Sequence, residues 1–248
     1  MHRFYLEPGS WNGQTLTLDA EESHHATSVL RLGPGEKVVV FDGEGREATT
    51  EITSAQKQEV QVQVLQEQKT FGYPASLVLA QAIPKGKNMD LIVQKATELG
   101  AAVVGPVLTE RTVVRLDPGE ARSKQEKWQR TAIEACKQCG QNWVPQIREP
   151  KSLEGVLAET GDCDLKLIAS LQSDARPFFE ILAEHQEMHE VRPKKVLVLI
   201  GPEGDYSPAE INLAKGSGCL PLSLGPIILR TETAALYSLS VLAYELMR

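Results

Sequence analysis

The sequence predicts an α/β protein in two parts, a small β-barrel over residues 1–72 and a parallel-sheet domain over residues 73–248. Three observations lead there. Residues 1–70 carry short β-branched-rich segments with no long helix between them, a pattern that suggests a small barrel. From residue 75 strand-like and helical runs alternate, the order that a parallel sheet with crossover helices requires. Between the two, Gly72-Tyr73-Pro74 reads as a linker.

The strand candidates of the first part are Arg3–Leu6, Leu16–Leu18, Lys37–Asp42, Ala48–Ser54 and Val60–Leu65, separated by Gly, Pro and Asn turns. Val60, Val62 and Val64 alternate with glutamines, which places one apolar face on a half-buried strand. One short helix is expected over about Ala20–Leu30. In the second part, strands are expected at Leu77–Ala80, Val103–Leu108, Leu165–Ala169, Val196–Ile200 and Cys219–Leu222. The helices between and after them are Lys87–Leu99, Glu120–Gln138, Ala175–His185, Pro208–Lys215 and Thr233–Met247. No internal repeat and no low-complexity segment breaks the pattern.

Composition narrows the class. A chain of 248 residues, 42% hydrophobic, has enough material for two cores. Mean hydropathy is −0.22, and the longest aliphatic stretch is Val196–Ile200, far short of the ~20 residues of a membrane span. The first residues, MHRFYLEPGSW, show no apolar core followed by a small-residue cleavage site, and four cysteines make no disulfide framework. A soluble, cytoplasmic protein is expected. The net charge of −7 argues against a general nucleic-acid coat protein, but it is unevenly spread. Residues 84–148 carry 11 basic and 7 acidic side chains, a net of +4, whereas residues 1–73 carry a net of −5 and residues 149–248 a net of −6. A polyanion should meet the middle of the chain. A solvated helix face explains the same +4, so charge alone leaves both open.

Several constellations fail on their context. Gly43-Glu44-Gly45-Arg46-Glu47-Ala48 has the G-x-G-x-x-A spacing of a dinucleotide loop, but Thr49–Thr53 reads as a strand where a helix must follow. A hairpin turn is expected instead. Cys136 and Cys139 form a lone C-x-x-C, while structural zinc wants four ligands and Cys163 and Cys219 stand alone in strands. Buried helix cysteines are expected, at a helix C-terminus capped by Gly140, the wrong end to stabilise a thiolate. His185 and His189 lie one helical turn apart like a zincin pair, but Gln186 stands where the general-base glutamate belongs. His24-His25 lacks a third ligand, and no P-loop and no G-x-S-x-G occurs. No metal is expected.

Two loops survive. Ile200-Gly201-Pro202-Glu203-Gly204-Asp205-Tyr206-Ser207-Pro208 follows an apolar strand directly, so its glycines make a tight turn where parallel sheets hold ligands. Ser207, Pro208 and Glu210 then form an N-cap, an N1 proline and a capping box. The second loop, Leu222 to Ala235, contains Leu224-Gly225-Pro226-Ile227-Ile228-Leu229-Arg230, which fits neither a clean strand nor a helix and ends at a Thr231/Thr233 helix start. An arginine and a glutamate between a greasy loop and a helix N-terminus fit a lined pocket. Core packing with a surface arginine fits the same residues.

The pair IGPEGDYS and LGPIILRTETAAL resembles the signature of the ribosomal small-subunit methyltransferase E family, a member of the knotted SPOUT class of S-adenosylmethionine-dependent RNA methyltransferases. The likeness extends through His25, Val29-Leu30-Arg31, Phe41-Asp42-Gly43, Lys95 to Gly100, Glu110-Arg111, Lys127-Trp128, Gln138 and Val144-Pro145. It implies a PUA-like RNA-binding β-barrel over 1–72 and a SPOUT domain with a deep trefoil knot over 73–248. It also implies a homodimer with the knot at its interface, and methylation of uracil N3 in 16S rRNA of the small ribosomal subunit. Three departures stand out: Asp205-Tyr206 where the family usually has Gly and Phe, Ile227 where it commonly has Arg, and Gln141 where it often has Arg.

From that resemblance, S-adenosylmethionine is expected on Ile200, Gly201, Pro202, Gly204, Leu224, Gly225, Ile228, Leu229, Thr231 and Ala234. Arg230 is the candidate cation for charge on the deprotonated uracil, and Glu232, Glu203 or water for the proton. RNA phosphates are expected on Arg3, Arg31, Lys85, Lys87, Arg111, Arg115, Lys124 and Arg130. The rival readings are a SPOUT enzyme acting on another RNA and a non-catalytic RNA-binding or assembly factor.

Overall fold

The computed structural model describes residues 1–114 and 116–247, so Arg115 among the expected phosphate ligands lies outside the described residues. The chain forms two compact units, one of Met1–Gly72 with Ile133–Val144 and one of Tyr73–Ala132 with Pro145–Arg248.

In the first unit, strands β1 (Arg3–Tyr5), β2 (Thr15–Leu18), β3 (Lys37–Phe41), β4 (Arg46–Gln56) and β5 (Glu59–Lys69) form one sheet in the order β1-β3-β4-β5-β2. β1 runs parallel to β3 and the other pairs are antiparallel. The valine alternation behaves as expected, with Val60 and Val62 fully buried beside Phe4, Leu16, Val38, Val40 and Ile52. The Gly43/Gly45 segment is a hairpin: Asp42 Oδ1 accepts the Glu44 and Arg46 amides at 2.7 and 3.0 Å, and Gly45 takes φ +95°. The expected single helix is two pieces. Helix α1 (Ala20–His24) is capped by Asp19, and His25–Val29 continues in wider turns closed by Leu30 N–H on the His25 carbonyl. Ile133–Val144 joins this unit because Asn142 and Gly43 carbonyls accept the Gly45 and Val144 amides, both at 2.9 Å. The Trp143 ring lies so close to Gly45 that a Cβ there would meet it at 2.6 Å.

The second unit contains β6 (Ser76–Ala82), α2 (Asn88–Glu98), β7 (Ala101–Leu108), β8 (Gln146–Ile147), β9 (Lys151–Ser152), α4 (Leu153–Ala158), β10 (Leu165–Ala169), α5 (Phe178–His189), β11 (Lys195–Ile200), α6 (Pro208–Gly216), β12 (Leu220–Leu222) and α7 (Thr231–Leu246). Helix α3 (Pro118–Cys139) begins here and its last residues belong to the first unit. The sheet order is β12-β10-β11-β6-β7-β8, parallel throughout, with β9 beside β7. Val196–Ile200 is buried on both faces, as a central parallel strand must be.

Several boundaries differ from the sequence reading. β8, β9 and α4 are too short to show a period. α5 starts at Phe178, because Arg176 is tied to the β12 end by its N–H on Pro221 and its carbonyl under Ser223, and it runs to His189 before Glu190 turns left-handed. α7 starts two residues early, at Thr231. Cys163 and Cys219 precede their strands, and Cys139 is exposed although Cys136 is buried. Burial pushes the Cys136 thiol up to about 12, so it behaves as a small apolar side chain.

Candidate active site

The carboxyl ends of β10, β11 and β12 open onto one cavity of about 660 Å³, within the range of small-molecule sites. Three chain segments build it. The turn after β11 is closed by the Asp205 amide on the Pro202 carbonyl at 2.9 Å. Asp205 takes φ +61°, and its Oδ1 accepts the Tyr206 amide at 2.8 Å. That left-handed backbone is native to glycine and tolerated by aspartate, so Asp205 does in this turn what a glycine would do. Gly201 is confined: a Cβ there would meet the Tyr206 ring at 3.3 Å. The turn feeds α6 through the expected capping box, with Ser207 and Glu210 bonded reciprocally.

The neighbouring strand ends hold the turn from outside. Lys85 N–H donates to Glu203 Oε1 at 3.0 Å, Arg111 Nη1 donates to the Gly204 carbonyl at 2.6 Å, and Glu110 N–H donates to Glu210 Oε1 at 2.9 Å. The second segment, Ser223–Arg230, is irregular, with Gly225 at φ +110° and Ile227 and Ile228 exposed. It leads from β12 at the sheet edge to α7, which packs on β6, β11 and α2. Arg230 is the N-cap residue of α7, exposed at the cavity, and Glu232 stands in the helix's first turn. The third segment, Ser170-Leu171-Gln172 after β10, completes the lining.

The cavity gathers Ile200, Gly201, Pro202, Leu224, Gly225, Ile228, Leu229, Thr231 and Ala234, together with Glu203, Arg230 and Glu232. Gly204 is not among its lining residues and is turned to Arg111. Thr231 points its hydroxyl inward, onto the Gly201 carbonyl at 2.7 Å. Of the basic candidates, Arg31, Lys85, Lys87 and Arg130 are exposed, and Lys124 lies over the Trp128 ring at 5.9 Å. Arg3 is half-buried in its own unit, with Glu47 at 2.9 Å, Asn142 at 2.5 Å and the Phe41 ring beneath. Sequence reasoning missed Asn88, the Ser170–Gln172 loop and Gln81, a fully buried amide bonded to Thr231. Gln81 did leave a signal, as the one polar residue in the strand core Leu77-Val78-Leu79-Ala80-Gln81-Ala82.

Comparison with known proteins fits this architecture. The RNA methyltransferase domain family matches residues 72–243, and the RNA methyltransferase PUA domain matches residues 18–65. The ribosomal RNA small subunit methyltransferase E of Bacillus subtilis is 32% identical over 99% of this chain and 97% of its own. A Legionella pneumophila protein described as a methyltransferase and solved with bound cofactor SAM is 37% identical, covers 99% of this chain and 98% of its own, and superposes with a TM-score of 0.88. The Neisseria gonorrhoeae ribosomal RNA small subunit methyltransferase E, solved with S-adenosyl methionine, is 32% identical over 99% of this chain and 98% of its own, with a TM-score of 0.86. The expectation of an α/β methyltransferase domain accompanied by a PUA domain therefore holds. On the length of these matches and the loops that line the cavity, the chain belongs to the ribosomal RNA small subunit methyltransferase E family.

Proposed function

We propose that the chain transfers a methyl group from S-adenosylmethionine to N3 of a uridine in 16S rRNA. The observation that carries this is the cavity itself, where two glycine-containing turns, apolar walls and one exposed arginine meet at the ends of parallel strands. A cavity of about 660 Å³, walled by Ile200, Leu224, Ile228 and Leu229 with backbone amides and carbonyls between them, suits an adenosine with a short charged tail. When bound, S-adenosylmethionine supplies a methyl on a sulfonium, which leaves the sulfur neutral when the methyl departs. The protein's part is to hold the uracil and manage its proton.

Loss of the N3 proton puts negative charge on the uracil carbonyl oxygens. Arg230, standing at the cavity on the end of α7, supplies the cation that stabilises it. Glu232, Glu203 or water takes the proton. Glu203 already accepts the Lys85 amide, which fixes its carboxylate, and Glu232 is set by the first turn of α7. Separate Glu203→Gln and Glu232→Gln pH–rate profiles assign the base, since only its replacement removes the acid limb.

Residues 1–72 then serve as a PUA-like RNA-binding barrel and residues 73–248 as a SPOUT domain. The passage from the β12 edge back to α7 supports a trefoil knot around the β11 turn. Arg31, Lys85, Lys87, Lys124 and Arg130 contact phosphates, while Arg3 and Arg111 support the fold and the turn. A homodimer in the cytoplasm, acting on the small ribosomal subunit, completes the reading. No described helix is long and apolar enough to cross a membrane. Titration calorimetry with S-adenosylmethionine tests the cavity assignment: saturable one-site binding with a negative heat-capacity change is expected. No binding, under conditions where the protein is folded, overturns it.

A further inference from the structure

Gln81 is the last buried polar side chain of β6 before its loop, paired in register with Ile200, the last residue of β11. Its Nε2 donates to the Thr231 hydroxyl at 2.9 Å and to the Ala82 carbonyl at 2.8 Å. The Thr231 hydroxyl in turn donates to the Gly201 carbonyl at 2.7 Å. The relay runs from the sheet, through the first residue of α7, to the first residue of the β11 turn, and so touches both loops that line the cavity. A threonine hydroxyl rotates freely among acceptors; a donor occupying one of its lone pairs restricts where its proton points.

Gln81 Oε1 is buried and has no partner among the described residues. An orphaned buried acceptor lowers stability, and an apolar residue in this strand would avoid the loss. Unpaired groups of this kind concentrate where function sets the residue rather than packing. We propose that Gln81 is a positioning residue for the methyl-donor pocket, holding the β11 turn and the Arg230 end of α7 in one arrangement through Thr231. This rests on the reading of the cavity as the S-adenosylmethionine site.

The test compares Gln81→Met, Thr231→Val, Thr231→Ser and the Gln81→Met/Thr231→Val double variant with wild type. Three quantities are read: S-adenosylmethionine affinity by calorimetry, Tm, and amide exchange of Asp205 and Tyr206 in the ligand-free protein. Gln81→Met is expected to keep or raise Tm, bind about tenfold more weakly, and exchange faster at both amides. Thr231→Ser, which keeps the hydroxyl, should bind more tightly and exchange more slowly than Thr231→Val, and the double variant should bind no more weakly than either single one, because one relay is broken only once. Unchanged affinity and exchange in Gln81→Met, a lowered Tm with binding intact, or single effects that multiply in the double variant each overturn the proposal. Should Gln81→Met not fold, the contrast of Thr231→Val with Thr231→Ser decides the same point. If wild type itself does not bind, the cofactor reading falls, and the exchange rates still decide the relay.

Discussion

Two buried polar features, one in each compact unit, are satisfied in opposite ways. In the first, Lys137 and Glu22 are each 8% exposed and meet at 2.9 Å, with Glu134 completing the ammonium and the Tyr5 amide the carboxylate. Burial pulls the Lys137 ammonium down, but Glu134 and Glu22 outweigh it and its pKa is raised. Burial pushes the Glu22 carboxyl up, and Lys137 offsets only part of that. In the second unit Gln81 is fully buried, satisfied at its nitrogen and, among the described residues, orphaned at its oxygen, and its bonds lead to the loops of a cavity. A buried charge pair is costly to break, because either member left alone is an uncompensated buried charge. A half-satisfied amide beside an open pocket shapes a site.

That contrast is sharpest where the two kinds of residue are removed. Lys137→Met leaves Glu22 buried without its counter-charge, so urea unfolding should show the first unit destabilised by about 3–5 kcal/mol, with S-adenosylmethionine affinity unchanged. Weakened cofactor binding in that variant would blur the distinction. Arg230→Ala should do the reverse, leaving Tm and binding in place while methyl transfer falls about 10²–10³-fold, roughly 2.7–4 kcal/mol. Full turnover with unchanged affinity would remove Arg230 from the chemistry.

The smallest effect concerns pH. Burial pushes the Glu47 carboxyl up, but the Arg3 guanidinium and the Asn142 and Gln68 amides outweigh it and hold the pKa below the ordinary 4.5. A depressed folded pKa gives stability that is present above the unfolded value and lost as pH falls through the folded one. Acid unfolding of wild type should therefore show an increment lost below about pH 4.5 that Glu47→Gln lacks. Identical acid limbs in the two proteins would mean that the Arg3 pair adds nothing.

Much of the site was legible because its signals are local. A strand followed by Gly-Pro-Glu-Gly, a capping box four residues long and an apolar loop closed by Arg230 each declare themselves within a few positions. The Gly43 hairpin was legible for the same reason. What escaped depends on distant partners. Ile133–Val144 is one piece with the first unit through bonds to Gly43 and Gly45, about a hundred residues away in sequence, which no helical period records. Cys139 and Cys136 share a helix, yet only one faces the interior. Gln81 could be seen as an oddity in an apolar strand, but its meaning lies in Thr231, 150 positions on.

Methyl transfer from radiolabelled S-adenosylmethionine to small ribosomal subunits that lack their N3-methyluridine, followed by mapping of the labelled nucleotide, decides whether the cavity serves this reaction. Label is expected on N3 of a single uridine of the 16S rRNA. Label on another RNA or another atom, or none from a protein that binds the methyl donor, would contradict it.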